Sequence, residues 1–204
     1  MALSVALALL TGGIAVPAAL RSLYYAQIVP LHLPEKSGMT VGEICSAYDE
    51  VMDYCTGEKD RFSAGILSYT KQGALHFADC RRLLFVDRWL FVGAMASIAA
   101  LLVYARKYSL PKFLNRRPEF WGASGMCALL LSLGAYAAAD FERAFELFHR
   151  TLFPGKTNWA LDSELDPIIR ILPEEYFASC GFIALAVVLA ATAAIVFADL
   201  KNRA

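Results

Sequence analysis

The chain has 204 residues, of which 58% are hydrophobic and 19% are charged, and its 19 basic side chains balance its 19 acidic ones. Soluble domains average about 45–50% apolar and about 25% charged residues, so this composition excludes an ordinary soluble protein and a disordered chain. The zero net charge also argues against a nucleic-acid-binding protein, which needs a basic face.

Four stretches without any charged residue predict four membrane-spanning helices. They cover residues 1–20, 89–105, 120–139 and 176–198. A helix needs about 17–25 apolar residues to cross the hydrocarbon core of a bilayer, and each stretch falls in this range. The predicted fold class is an all-α integral membrane protein, with one membrane domain over 1–204. A cleaved signal peptide is the alternative for the first stretch, although no basic residue precedes its apolar run.

The loop between the second and third stretches predicts the orientation of the chain. Residues 106–119 contain five basic residues and one acidic residue. Short loops rich in Lys and Arg remain on the cytoplasmic side. Lys201 and Arg203 in the C-terminal tail agree with this side. We therefore expect a multi-pass protein of the cell membrane with both termini in the cytoplasm, and extracytoplasmic segments at 21–88 and 140–175.

The first extracytoplasmic segment is expected to be mostly helical. Its prolines favour extended chain over residues 28–34. Thr40 followed by Glu43 matches the capping-box pattern and predicts a helix from Thr40 to Tyr54, ended by Thr56-Gly57. A second helix is predicted from about Ser63 to Arg88, continuing into the second span.

The second extracytoplasmic segment is predicted to continue the third span as an amphipathic helix over 140–152. Its apolar residues recur every three or four positions and share one face: Phe141, Phe145, Phe148 and Leu152. A loop from Phe153 leads to a short helical piece between Pro167 and Leu172. The aromatic residues near the span ends are typical of an interfacial belt, and they would also suit a slot for acyl chains.

His76 is the first candidate for chemistry. In a continuous helix it shares a face with Tyr69, Gln72, Asp79 and Leu83. Asp79 is then expected to accept a hydrogen bond from the imidazole, which would fix its tautomer and raise its basicity.

His149 is the second candidate, and Glu142 and Glu146 precede it on the same helix face. These carboxylates are expected to favour its protonated form. Both histidines should lie near the outer membrane surface, where imidazole suits general acid–base catalysis. Either histidine alone would also be unremarkable as an interfacial side chain.

Other chemistries are less well supported by the residue patterns. His76, Asp79 and His149 could in principle bind a transition metal, but no HExxH or clustered Cys/His pattern is present, and no metal is predicted. Cys45 and Cys55 are about 15 Å apart on the predicted helix, too far for a disulfide. No GxSxG motif supplies a nucleophile. The alternatives that remain open are a membrane metal- or haem-binding protein, a non-enzymatic membrane assembly factor, and a different acyltransferase or phospholipase that acts on bulk lipid.

Two sequence blocks resemble a known family. The first is Phe141 to Pro154, continued by Asn158-Trp159, Asp166 to Ile169 and Leu172 to Phe177; the second is Leu75 to Asp79. Together they resemble the small four-span bacterial membrane proteins of the lipoprotein intramolecular transacylase family. The resemblance implies an enzyme without a cofactor that acts on diacylglyceryl-modified lipoproteins within membrane lipid. It moves the sn-2 acyl chain of the N-terminal cysteine to the α-amine of that cysteine.

The resemblance also implies that His76 and His149 are catalytic. Their helix spacing makes Asp79 and Glu146 the expected supporting residues. Weaker candidates for substrate binding are Trp159, Asp166, Arg170 and Phe148. Cys80 stands where the family pattern leads us to expect an aliphatic residue. Because the amine of the substrate is the nucleophile in this reaction, the chain needs none of its own.

Overall fold

A computed structural model describes residues 1–201, so Arg203, counted above with the tail charges, lies outside the described residues. Four long apolar helices could each cross a membrane: α1 (Ala2–Ala19), α5 (Lys71–Ala105), α6 (Pro118–Ala139) and α8 (Glu174–Lys201). The remaining helices of the described chain are shorter: α2 (Arg21–Tyr25), α3 (Leu33–Ser37), α4 (Val41–Thr56), α7 (Phe141–Leu152) and a 3₁₀ helix (Pro167–Arg170). The predicted class, an all-α integral membrane protein, is confirmed.

The chain divides into two compact units. The membrane unit comprises Met1–Pro17, Asp87–Ala139 and, of the described residues, 180–201. The second unit comprises Ala18–Val86 and Asp140–Ser179, and we call it the histidine unit because all three histidines lie in it.

Small residues allow the helices of the membrane unit to approach closely. A Cβ atom at Gly122 would lie 2.8 Å from the carbonyl carbon of Ala2, and one at Gly13 would lie 3.4 Å from the carbonyl oxygen of Ala184. Such close approach is the usual basis of helix packing in lipid, where the hydrophobic effect does not drive association. The buried Asp199 side chain binds the Arg116 guanidinium at 2.8 Å and so ties the loop before α6 to α8.

A tyrosine cluster forms the core of the histidine unit. The rings of Tyr24 and Tyr48 stack with their centroids 3.8 Å apart. The hydroxyl groups of Tyr48 and Tyr176 share a hydrogen bond of 2.9 Å, and Tyr24 donates to the carbonyl oxygen of Ile171 at 2.7 Å. Because each buried hydroxyl has a partner, the cluster joins α2, α4 and the start of α8 without leaving a polar group unsatisfied.

The predictions for the first segment are partly confirmed. Thr40 accepts a hydrogen bond from the Glu43 amide at 3.3 Å, and the Glu43 carboxylate accepts one from the Thr40 amide at 2.8 Å, so the capping box is present. Gly57 ends α4 with a φ of +90°, as expected for a C-terminal glycine. The extended chain predicted over residues 28–34 is wrong. That stretch forms turns and the start of α3, where Pro34 occupies the first turn and its missing N–H costs nothing.

Helix α5 begins at Lys71, so the predicted start near Ser63 is wrong. The preceding residues are irregular, and Gly65 has a left-handed φ of +65°. Thr70 is the residue that starts the helix, because its hydroxyl accepts from the Gly73 amide at 2.9 Å. Tyr69 therefore precedes the helix and does not share a helix face with His76.

Helix α7 is a separate helix, so the prediction that it continues the third span is also wrong. Asp140 adopts an extended conformation between α6 and α7. Its carboxylate accepts from the Arg143 amide at 3.1 Å and caps α7. The helical piece after Asp166-Pro167 is confirmed as the 3₁₀ helix, and all five cysteines are free.

Candidate functional site

The structure brings His76 and His149 together inside the histidine unit. His76 lies in the second turn of α5, and His149 lies in the last turn of α7. Their ring centroids are 5.8 Å apart, and each residue is only 7% exposed. Two buried imidazoles at this spacing can act on one small group of reacting atoms.

Aromatic side chains surround the histidine pair. Phe153 contacts both rings, with centroid distances of 5.2 Å to His76 and 5.9 Å to His149. Three more rings contact His149: Phe145 at 4.2 Å, Trp159 stacked at 5.1 Å and Phe148 edge-on at 5.4 Å. These rings limit access of water and lower the local dielectric, which strengthens electrostatic interactions at the site.

The backbone of α7 fixes the tautomer of His149. The Nδ1 atom lies 2.8 Å from the carbonyl oxygen of Phe145. A carbonyl oxygen can only accept, so Nδ1 carries the proton and Nε2 keeps its lone pair. Glu146 lies on the same helix, but its carboxylate pairs with Arg150 at 2.6 Å.

His76 has different partners from those expected. Its Nε2 atom lies 3.6 Å from the Sγ atom of Cys80, one helical turn further on. Its Nδ1 atom is buried and has no hydrogen-bond partner among residues 1–201. The predicted hydrogen bond from His76 to Asp79 is therefore wrong, because the Asp79 carboxylate is engaged by Lys156 and Asn158.

Burial favours the neutral form of both histidines. The pKa of His76 is lowered to about 4, mainly by burial and further by the charges of His149 and Lys156, while Asp79 offsets part of the decrease. Burial also lowers the pKa of His149, although the hydrogen bond to the Phe145 carbonyl opposes this effect.

Asp79 does favour the protonated form of His76, as expected, but desolvation is the larger effect and the net pKa is lowered. Desolvation also lowers the pKa of His149, so the protonated form expected beside Glu142 and Glu146 is not favoured.

Asp79 anchors the loop that follows α7. Its carboxylate forms an ion pair with Lys156 and accepts from the Asn158 amide at 3.1 Å. Burial alone would raise the pKa of Asp79, but these hydrogen bonds lower it below its usual value. The loop carries Trp159, which stacks on His149. Asp79 thus acts on the site through the loop, and Lys156 was not recognised from the sequence because its partner lies on a distant helix.

The other predicted substrate-contact residues lie away from the histidine rings. Asp166 is 3% exposed and accepts from the Thr70 amide at 2.7 Å and from the Thr70 hydroxyl at 2.8 Å. A Cβ atom at Gly73 would lie 2.9 Å from the Asp166 carboxyl carbon, so this contact requires glycine. Asp166 therefore fixes the start of α5 and, through it, His76. Arg170 pairs with Glu164 at 2.6 Å. Of the four candidates, Trp159 and Phe148 contact a histidine.

Within the part of the chain that the structure describes, no three His, Cys, Asp or Glu side chains are grouped as a metal site requires. His76, Asp79 and His149, considered above as ligands, do not form such a group.

We expect Asp79→Asn to loosen the loop carrying Trp159. Loss of the charge pair with the half-exposed Lys156 should cost about 1 kcal/mol, which corresponds to roughly fivefold faster amide hydrogen exchange in residues 156–160. Asp60→Asn is the matched control, because Asp60 is exposed and pairs with Arg81 outside the loop. Equal exchange rates in the wild type and Asp79→Asn would contradict the anchoring role.

Comparisons with known proteins agree with the two sequence blocks and with the fold. The sequence profile of the family described as lipoprotein intramolecular transacylase Lit matches residues 1–177. The in meso structure of the membrane-integral Lit from Bacillus cereus matches with a TM-score of 0.87 and 25% identity, over 99% of this chain and 93% of that one.

Two further structures of the Bacillus cereus protein carry a single histidine substitution, to alanine or to arginine. They match with TM-scores of 0.79 and 0.75 at 24% identity, over 99% of this chain and 91% of those chains. No curated protein matches the sequence. Because the profile matches most of the chain, this membrane-integral protein belongs to the lipoprotein intramolecular transacylase Lit family.

Proposed function

We propose that this protein transfers the sn-2 acyl chain of a lipoprotein's S-diacylglyceryl N-terminal cysteine to the α-amine of the same cysteine. The product is a lyso-form lipoprotein, with one acyl chain on the glycerol and one on nitrogen. The observation that carries the proposal is the buried pair of His76 and His149, which offers a free lone pair and a second, unpaired ring nitrogen. Membership in the transacylase family supports the reaction class.

The nucleophile in this reaction is the substrate's own α-amine. Such amines have a pKa of about 7.7–8, so a useful fraction is deprotonated near neutral pH. Because amine and ester belong to one molecule, the enzyme needs only to hold them in reacting geometry, and orientation of this kind can supply several kcal/mol of the barrier reduction, up to roughly 7–11. The aromatic surroundings of the histidines suit an acyl chain as well as exclusion of water.

His149 is suited to move the proton. As the bond between the amine nitrogen and the acyl carbon forms, Nε2 of His149 accepts a proton from nitrogen. As the bond between the acyl carbon and the glycerol oxygen breaks, the same atom returns the proton to that oxygen. The products are an amide and a free glycerol hydroxyl, and the histidine ends neutral. Acid–base help of this kind is typically worth about 10²–10⁴-fold.

His76 is suited to stabilise the oxyanion. A neutral imidazole with the proton on Nδ1 would donate a hydrogen bond to the carbonyl oxygen as negative charge develops there. The lowered pKa of His76 keeps it neutral, so the donor does not depend on pH near neutrality. One such donor in a water-poor site is worth about 10²–10³-fold.

We further propose that the reaction occurs at the extracytoplasmic face and that both termini are cytoplasmic. The support is the charge of residues 106–119, with five basic residues and one acidic residue. With four spans, segments 21–88 and 140–175, which contain His76 and His149, would then be extracytoplasmic.

A double-label assay tests the function. Purified protein is given two synthetic diacylglyceryl lipopeptides, one with a deuterated sn-2 chain and one with a heavy-isotope peptide, and tandem mass spectrometry reads the products. We expect N-acyl, monoacylglyceryl cysteine of unchanged total mass, with the deuterium still on its original peptide. Exchange of label between peptides, release of free fatty acid, or unchanged substrate with folded protein would overturn the proposal.

The pH dependence of transfer should follow the substrate amine. Because the lowered pKa values keep both histidines deprotonated above pH 6.5, we expect the logarithm of the rate to rise with a slope of one and level off near pH 8, about the pKa of the amine. A substrate with a less basic amine should shift this break to lower pH. A slope of two at about pH 6.5–7.5 would show that a histidine titrates there and would contradict the prediction.

A further inference from the structure

Cys80 is a polar neighbour of His76 that the proposed mechanism leaves unused. Its Sγ atom lies 3.6 Å from Nε2 of His76, within hydrogen-bonding range for sulfur. The residue follows Asp79 on α5. An aliphatic residue could not form a hydrogen bond with the imidazole.

The direction of this hydrogen bond follows from the chemistry of the two groups. Burial raises the pKa of the Cys80 thiol, so the thiol keeps its proton. Sulfur is a weak acceptor, whereas the lone pair of a neutral imidazole is a good one. The favoured arrangement therefore has the thiol donating to Nε2, which leaves the proton of the neutral ring on Nδ1.

The second ring nitrogen supplies an independent observation. His76 is 7% exposed, and its Nδ1 atom is buried without a hydrogen-bond partner in residues 1–201. Native proteins seldom leave a buried polar atom unpaired, and such an atom next to a second buried histidine indicates a functional group that pairs with substrate. Asp79 does not pair with Nδ1; its carboxylate accepts from Lys156 and Asn158.

We propose that Cys80 is a positioning residue that donates its S–H to Nε2 of His76 and thereby holds the tautomer whose Nδ1–H faces the acyl carbonyl. The inference rests on the proposed function. It also distinguishes the two histidines: both carry the proton on Nδ1, but the Phe145 carbonyl blocks that atom in His149, whereas Cys80 blocks Nε2 in His76. His149 therefore offers a base and His76 offers a donor.

Nitrogen-15 spectroscopy of labelled histidine tests the tautomer without measuring activity. In the purified full-length protein, we expect His76 to show a protonated Nδ1 and an unprotonated Nε2. Cys80→Val, which places an aliphatic residue at this position, should shift the ring toward the other tautomer or a mixture, whereas Cys80→Ser retains a protic donor and should preserve it. An unchanged His76 spectrum in Cys80→Val would overturn the proposal.

The activity of the same variants tests whether the hydrogen bond from Cys80 to His76 contributes to acyl transfer. One neutral hydrogen bond contributes about 0.5–1.5 kcal/mol, so Cys80→Val should lower kcat roughly two- to tenfold with KM unchanged, and Cys80→Ser should stay within about twofold of the wild type. Cys45→Ala is the matched control, because Cys45 lies on α4, where its electrostatic neighbours include Asp49 and Tyr24.

The two proposals fail in different ways. A tautomer change in Cys80→Val with no loss of kcat would refute the use of His76 as a donor, and so the proposed function of that residue. Loss of kcat without a tautomer change would overturn the positioning role of Cys80. The expected result is that Cys80→Val changes the tautomer and lowers kcat, whereas Cys80→Ser keeps the wild-type tautomer and a kcat close to the wild type.

Discussion

Replacing His149 with alanine is expected to lower acyl transfer by at least about a hundredfold, because the general base and proton carrier would be lost. Its Nε2 lone pair is left free by the hydrogen bond between Nδ1 and the Phe145 carbonyl. His149→Gln should be equally impaired, since an amide side chain cannot accept and return a proton at neutral pH. The measurement is the single-turnover rate of N-acyl lipopeptide formation by mass spectrometry.

The matched control is His32→Asn. His32 is an exposed residue with a φ of +54°, a left-handed conformation that asparagine adopts more readily than most residues. We expect this variant to keep the wild-type rate. Because His149 is buried, thermal unfolding of His149→Ala must be compared with the wild type before its rate is interpreted. A folded His149→Ala protein with more than about a tenth of the wild-type rate would remove His149 from the mechanism.

Local sequence rules predicted the parts of the fold that depend on neighbouring residues. The charge-free stretches predicted the membrane helices, and the capping box of Thr40 and Glu43 predicted the start of α4. In both cases the residues that determine the structure lie within one or a few helical turns. The same holds for Gly57, whose left-handed conformation ends α4.

The start of α5 could not be predicted in this way. Thr70 begins the helix with its own hydroxyl, but the buried Asp166 side chain holds Thr70 in place from another segment of the histidine unit. Helical periodicity alone extended the helix back to Ser63 and placed Tyr69 beside His76. The tertiary contact with Asp166, which requires the space left by Gly73, determines where α5 begins.

In the candidate site too, local sequence indicated some features, whereas others depend on tertiary contacts. His76 and His149 were singled out in the sequence as histidines in helical segments near the predicted outer membrane surface, and in the structure their ring centroids lie 5.8 Å apart. The protonation states of the two histidines were not predicted correctly. The i+3 spacing suggested Asp79 as the hydrogen-bond partner of His76, whereas in the folded protein the Asp79 carboxylate accepts from Lys156 and Asn158. Burial by distant aromatic residues then lowers the pKa values that local carboxylates were expected to raise.

Replacing His76 with alanine should lower the transfer rate by about 10²–10³-fold, the usual cost of losing one oxyanion donor. The effect should appear in kcat with little change in KM, because the hydrogen bond strengthens as charge develops on the carbonyl oxygen. His76→Gln should be more active than His76→Ala, since the amide N–H can still donate. The assay is the same lipopeptide measurement, with thermal unfolding as the check on folding.

Substitution by glutamine thus distinguishes the donor role from the base role, which substitution by alanine cannot do. Glutamine can replace a donor but not a base, so partial rescue at position 76 together with none at position 149 supports the assignment. The reverse pattern would exchange the roles of the histidines, and it would also contradict the tautomers inferred from the Phe145 carbonyl and the Cys80 thiol. Equal loss with glutamine at both positions would show that His76 also transfers a proton, a step for which its lowered pKa makes it a poor base.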